Sequence, residues 1–214
     1  SRDTLVVPPG GEYSLVLADG TRVHLNAATS LSFPSRFEGE GVREVCLHGE
    51  AYFEVAADPS RPFIVRAGGT TARVLGTAFN VNAYAARRVV VTTLVEGRLR
   101  VSGGGETREM RPGEQATYRE EEGRLEVREV AAELYTSWKD GYYLFREATL
   151  EEIMTTLATW YDANVLYATD RVKATRFTGR LQRFEEIQYL LEKFEETGAI
   201  VVTINGNDIT LDKK

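Results

Sequence analysis

The sequence predicts an all-β domain (a sandwich, jelly roll or solenoid-like stack) over residues 1–135, followed by a small α+β domain over residues 136–214. Three observations lead there. Up to about residue 130, short alternating apolar runs are broken by Gly, Pro, Asp and Asn, the pattern of half-buried antiparallel strands. Only after residue 135 do apolar residues fall at helical spacing. Asp19-Gly20 and Asn205-Gly206 each separate two alternating apolar runs, which is the strongest short-range mark of a hairpin.

The first hairpin spans Tyr13 to Leu25. Tyr13, Leu15 and Leu17 alternate up to Asp19-Gly20, and Val23 and Leu25 alternate away from it. Asp-Gly tolerates the positive φ angles of a tight primed turn. Further strands are predicted at 44–47, 51–55, 63–66, 71–75, 79–84, 89–95, 98–101 and 115–118. Short strands at such spacing argue for a sandwich or stack. Gly103, Gly104 and Gly105 lack the GK[ST] ending and following helix of a phosphate loop, so they read as a hairpin turn. Gly20, Gly49, Gly76 and Gly113 fall at strand boundaries, and Asn26 and Asn80 read as turn residues.

The second domain opens on an aromatic-rich stretch, Trp138 to Phe145. Leu150, Ile153, Met154, Leu157, Trp160 and Tyr161 then line one helix face, with Thr149 and Glu152 as its capping box. A second helix is predicted from Phe184, Ile187, Leu190, Leu191 and Phe194, ended by Gly198. Strands are predicted at 142–145, 165–167, 176–179, 200–204 and 208–211. The expected order is β-α-β-β-α-β-β, with two helices packed on one face of a short mixed sheet.

Composition narrows the function. With 26 Lys plus Arg against 32 Asp plus Glu, the net charge of −6 would repel a phosphate backbone, so no nucleic-acid partner is expected. No run of apolar residues is long enough to span a membrane and no export signal precedes Ser1. One cysteine, Cys46, allows no intrachain disulfide and no multi-cysteine metal site. His24 and His48 are the only histidines, and Cys46 with His48 lacks an orienting third group, so no catalytic residue, cofactor or metal is expected. The acidic runs 120–122 and 195–196 read as solvated charge at a turn and a helix end. A ligand-binding or glycan-binding β module is the alternative, with Tyr52, Tyr84, Tyr118, Tyr142 or Tyr143 as stacking rings.

Longer stretches of the first domain resemble a known family. Leu17-Ala-Asp-Gly-Thr-Arg-Val-His-Leu-Asn-Ala-Ala-Thr-Ser-Leu31 runs on to Phe33-Pro34. Gly49-Glu-Ala-Tyr-Phe-Glu-Val55, Arg61-Pro-Phe-Ile-Val65, Val74-Leu-Gly-Thr-Ala-Phe-Asn-Val81, Glu96-Gly97 and Pro112-Gly-Glu114 follow in order. Together they are similar to the periplasmic region of the FecR family of anti-sigma regulators. The Leu150-Glu-Glu-Ile153 helix start, Phe177-Thr-Gly179 and Leu190-Leu191 resemble the C-terminal domain of FecR proteins of Bacteroidetes. That domain is itself similar to the short signalling domain at the N-terminus of TonB-dependent transducers and secretins.

The resemblance implies a relay of signal transduction and transcription regulation. A cytoplasmic segment holds an extracytoplasmic-function sigma factor, one membrane helix anchors the protein, and the periplasmic region senses the N-terminal signalling domain of a TonB-dependent receptor. The sequence reads as a periplasmic fragment without the sigma-binding segment, whose own partner is therefore the receptor. Short strands that end as sheet edges suit such docking. The expected partner-binding residues are Tyr142, Tyr143 and Phe145 on one strand and Arg176, Phe177 and Thr178 on another.

Overall fold

The computed structural model describes residues 2–38 and 41–214, which divide into two compact units meeting at Thr136 and Ser137. The first unit carries strands β1 (Arg2–Val7), β2 (Tyr13–Val16), β3 (Arg22–Leu25), β4 (Thr29–Pro34), β5 (Arg43–Glu54), β6 (Phe63–Ala67) and β7 (Thr70–Val74). It continues with β8 (Ala78–Ala83), β9 (Val89–Glu96), β10 (Leu99–Gly103), β11 (Glu106–Met110), β12 (Glu114–Arg119) and β13 (Arg124–Glu129), and ends in a short helix α1 (Glu133–Thr136). The all-β expectation holds, and the choice left open resolves in favour of two layers that share one strand.

That strand is β5. Its first half pairs with β4 and, in parallel, with β6, where Arg43 to Leu47 face Phe63 to Ala67. From Gly49 onward the same strand pairs with β8 and β3 instead. One layer therefore runs β11-β10-β7-β6-β5-β4-β1 and the other β2-β3-β5-β8-β9-β12-β13. The sequence predicts two strands, 44–47 and 51–55, with Gly49 as the break between them. The structure instead has one strand of 12 residues, in which glycine permits a change of direction without loss of pairing.

Side chains at alternate positions of both layers meet in the core. Val23, Leu25, Leu31, Val45, Phe53, Phe63, Phe79 and Leu94 are all wholly enclosed. Phe53 stacks on Phe79 at 5.2 Å between ring centres and tilts against Phe63 at 6.1 Å. Burying each such ring contributes about 1.5–3 kcal/mol.

Polar groups at the start of β5 and at its crossing are enclosed with it. Arg43 is buried and its Nη1 donates to Asp19 Oδ2 at 2.8 Å and to the Ala56 carbonyl at 2.8 Å, while its Nε donates to the Arg61 carbonyl. Asp19 also accepts from the Thr21 amide and hydroxyl, which closes the Asp19-Gly20 turn. At the crossing, Glu50 is buried and accepts from Asn26 Nδ2 at 2.8 Å and Asn80 Nδ2 at 2.9 Å. The sequence places Asn80 in a turn, but it lies inside β8, where its amide serves the carboxylate of Glu50.

The second unit carries β14 (Tyr142–Thr149), α2 (Leu150–Tyr161), β15 (Asn164–Tyr167), α3 (Asp170–Lys173), β16 (Arg176–Gln182), α4 (Ile187–Glu196), β17 (Ile200–Asn205) and β18 (Asp208–Lys213). Helix α2 buries Leu150, Ile153, Met154, Leu157 and Trp160, and Thr149 and Glu152 form the predicted reciprocal cap. The strands divide between two ladders, an antiparallel β14-β16 pair and a mixed β15-β18-β17 sheet. Helix α4 begins at Ile187, three residues after Phe184. Before it, the Arg183 amide donates to the Gly141 carbonyl at 3.0 Å, which holds the chain to the β14-β16 ladder.

Gly49 has φ of 103°, and a Cβ there would come within 2.4 Å of Thr29 Oγ1 and 2.8 Å of Thr29 Cα. Gly49→Ala is expected to destabilise the first unit by about 2–4 kcal/mol, from left-handed strain plus overpacking. Gly41→Ala, with nothing among the described residues within 4 Å of its Cβ, should change stability by less than about 0.5 kcal/mol. Urea midpoints of the two variants check this.

Candidate functional site: the strand edges of the C-terminal unit

The six residues predicted to bind a partner all lie on the β14-β16 ladder, so the two candidate edges are each other's partner. Tyr142 faces Gln182, Tyr143 faces Leu181 and Phe145 faces Gly179, after which a bulge brings Ala148 opposite Phe177. The bulge is closed by Thr178, whose hydroxyl accepts from the Glu147 amide at 2.9 Å and lies 3.2 Å from Glu147 Oε1. The Arg176 guanidinium donates to the Glu147 carbonyl.

These side chains divide between core and surface. Tyr143 is buried, and Phe177 meets Phe194 of α4 edge-on at 4.8 Å. Phe145 stacks on Tyr143 at 6.2 Å. Tyr142 is half-buried under the Arg180 guanidinium, 3.9 Å from its ring centre. Arg176 and Thr178 are exposed. The ladder is held from inside by Arg183, which is wholly buried with its guanidinium 3.9 Å over Trp160 and near Trp138 and Tyr143. Its Nη1 donates to the Trp138 carbonyl at 3.0 Å. A charged residue just before a helix reads as surface, and only the nearby Trp138, Tyr143 and Trp160 hint at this cage.

A second edge was missed in the sequence. Among the described residues β17 pairs on one side only, with β18, and its six residues, Ile-Val-Val-Thr-Ile-Asn, hold no charge and no proline. Asn205 and Asp208 flank a two-residue turn whose first residue, Gly206, has φ of 62°. In such a hairpin the flanking pair is hydrogen-bonded and the pairs then alternate. Val201 and Thr203 therefore bond to β18, and Ile200, Val202 and Ile204 turn their amides and carbonyls outward. The Val202 amide confirms the parity, since it donates to Glu195 Oε1 at 2.6 Å. Glu195, expected as solvated charge, thus covers part of this edge. Val201 and Ile204 are 42% and 41% exposed.

Edge strands of the first unit are guarded differently. β11 and β13 carry Glu106, Arg108, Glu109, Arg124, Glu126, Arg128 and Glu129, and β2 has four residues. Charges and short length discourage strand addition. β17 has neither device.

The tyrosines considered as sugar platforms are otherwise engaged. Tyr52, Tyr118 and Tyr143 are buried, and the Tyr84 ring faces the Arg87 guanidinium at 4.8 Å. His24 lies in a cross-strand row, its Nδ1 2.9 Å from Ser14 Oγ and its Nε2 3.7 Å from Glu54. The row is on the solvent side of β2, β3 and β5, where such polar pairs support the sheet. Cys46 is half-buried beside Arg2 and His48 is exposed. Among the described residues no group of three or more His, Cys, Asp or Glu could hold a metal ion, and no helix is long and apolar enough to cross a membrane.

Residues 3–100 match the family described as FecR protein, and residues 142–211 match the one described as FecR, C-terminal. Two crystal structures of a candidate anti-sigma factor from Parabacteroides distasonis, at 1.65 and 2.50 Å resolution, are each 26% identical to the chain with a TM-score of 0.88. The first covers 99% of both chains and the second 100% of both. No curated protein matches the chain.

Two phenols make the second unit sensitive to alkali. Burial first, and the Glu185 charge second, push Tyr161 up to about 12. Burial and then Glu151 do the same to Tyr167. Tyrosine in the unfolded chain ionises near pH 10, so above that pH the unfolded state binds fewer protons than the folded one. Stability from these groups is complete below about pH 10 and is lost as pH rises towards about 12. Both tryptophans lie in this unit, so urea midpoints followed by tryptophan emission report it alone. The midpoint is expected to fall between pH 10 and 12, less steeply in Tyr161→Phe; an equal slope in the variant would remove Tyr161 as a cause.

Proposed function

The chain belongs to the FecR family, and from that premise we propose that it is the periplasmic relay region of a membrane-anchored anti-sigma regulator. Membership, together with the likeness to a candidate anti-sigma factor, makes it a signalling regulator. In the proposed relay the C-terminal unit binds the signalling domain of a TonB-dependent outer-membrane receptor. Binding then controls an extracytoplasmic-function sigma factor through the cytoplasmic segment that the family resemblance implies.

One observation carries the reading: β17 is an uncharged, proline-free edge whose outward amides and carbonyls can accept a partner strand. Main-chain bonds would supply register and the exposed Val201 and Ile204 would supply apolar contact. Arg176 and Thr178 on β16, with Tyr142, Tyr143, Phe145 and Phe177 behind them, form the second candidate surface. There the bulge and the Arg180 to Tyr142 contact leave a less regular edge.

Calorimetric titration of the protein with the purified receptor signalling domain tests the proposal. Saturable one-to-one binding is expected, weakened about tenfold or more in Val201→Lys, which places a charge on the β17 edge. Val202→Pro removes an outward amide without removing a bond to β18 and should act alike. Full affinity in both folded variants, with loss on Arg176→Ala, would move the dock to β16. Absence of binding by the unaltered protein would reject the relay role.

A further inference from the structure

The first unit carries a basic groove that no part of the relay uses. It has a volume of about 680 Å³ and lies where the β5-β6, β7-β8 and β9-β10 connections meet. Pockets of that size suit a small ligand or a few residues of chain. Its charged walls are Arg73, Arg98, Arg100 and Glu109, and its apolar parts include Leu75 and Pro62.

Charge in the groove is unbalanced. Arg73 on β7 and Arg100 on β10 stand directly opposite each other. Like charges at such positions are destabilising. Glu109 on β11 neutralises one of them, since Arg100 Nε meets its Oε1 at 2.6 Å. The other neighbour of Arg73 across the sheet is Ile64. Among the described residues neither Arg73 nor Arg98 has a carboxylate partner. Asp58, in the adjoining connection, is turned away, its carboxylate accepting from Ser60 and from Arg61 Nε. Two uncommitted guanidinium groups thus share one recess in a chain whose net charge is −6.

The walls are fixed before any ligand arrives. The Thr77 hydroxyl donates to the Arg98 carbonyl at 3.0 Å, and the Asp58 amide donates to the Leu75 carbonyl at 2.8 Å. Gly76 and Gly97 allow the connections to touch, because a Cβ on Gly76 would lie 2.9 Å from Ala57 and one on Gly97 2.9 Å from the Gly76 carbonyl. A preformed recess loses little entropy on binding.

We propose that this groove binds an acidic peptide segment, whose carboxylates pair with Arg73 and Arg98 while its apolar atoms cover Leu75 and Pro62. Guanidinium groups recognise carboxylates bidentately. Charge pairs set in an apolar recess favour a carboxylate carried on a chain over a free ion, because the chain also covers the apolar wall. This site lies in the first unit and is independent of the receptor dock, so failure of either leaves the other standing.

The test titrates the protein with acetyl-Glu-Leu-Glu-Leu-Glu-amide, its Gln-for-Glu counterpart and inorganic phosphate, followed by NMR shifts of backbone amides. Saturable shifts are expected at residues 73–77 and 97–100 with the acidic peptide, with affinity falling as salt rises. Arg73→Gln with Arg98→Gln should weaken that binding about tenfold or more. Both side chains are exposed and Arg73 opposes Arg100, so a urea midpoint no lower than that of the unaltered protein is the check on folding. Equal binding in the double variant, equal binding of the Gln peptide, or phosphate binding as tightly as the peptide would each overturn the proposal.

Discussion

Much of the first unit rests on the crossing at Gly49, where one strand changes its hydrogen-bonding partners and so belongs to both layers. With φ of 103°, Gly49 brings its Cα against Thr29, and no L side chain fits there without movement. The neighbouring polar groups are arranged around that contact. The Thr29 hydroxyl accepts from the Glu50 amide at 2.9 Å, and the Glu50 carboxylate is held by the side-chain amides of Asn26, just after β3, and Asn80, within β8. At the start of β5, Arg43 and Asp19 perform the corresponding service. An enclosed charge with a partner removed costs about 3–5 kcal/mol, so these groups bind the layers to one relative register.

This arrangement explains the residues through which the family resemblance was visible. In the stretch from Leu17 to Leu31, Asp19 closes a turn and holds Arg43, Thr21 accepts from the Ala56 amide, Asn26 holds Glu50 and Thr29 fits Gly49. Each has a structural task, and their side chains are enclosed. The Leu17–Leu31 stretch marks the fold, while the surfaces proposed for partners draw on other stretches of the resemblance: Pro62, Leu75 to Thr77 and Gly97 line the groove of Arg73 and Arg98, and Phe177 and Thr178 lie on β16. A match to the Leu17–Leu31 stretch therefore identifies architecture more directly than it identifies a contact.

Local features were legible in the sequence because local residues decide them. The Thr149 and Glu152 cap needs residues three apart, and the hairpins at Asp19-Gly20 and Asn205-Gly206 need only turn chemistry and flanking alternation. What escaped depends on residues far apart in the chain. Gly49-Glu50 looks like a strand break until β4 and β8 are both in place. Arg183 reads as a surface charge until Trp138, Tyr143 and Trp160 surround it. Phe184, expected on the α4 face, is instead 66% exposed and meets Trp160 edge-on at 5.8 Å, because the preceding residue is tied to Gly141. The open side of β17 follows from strand order, which no short window contains.

In the proposed dock, the β17 edge also limits where affinity for a partner strand can come from. Glu195 already satisfies the Val202 amide, so an arriving strand must displace a charge-assisted bond before it makes its own. Exchanging one hydrogen bond for another leaves a net gain of only about 0.5–1.5 kcal/mol per bond, and here the bond displaced belongs to the stronger kind. Apolar burial over Val201 and Ile204 must supply much of the remainder. Glu195 then acts as a threshold: a strand that bonds without covering those two side chains gains too little to displace it, whereas one with apolar residues in register does. Selectivity at an otherwise unguarded edge follows from that difference, because backbone pairing is common to every strand and the apolar register is not.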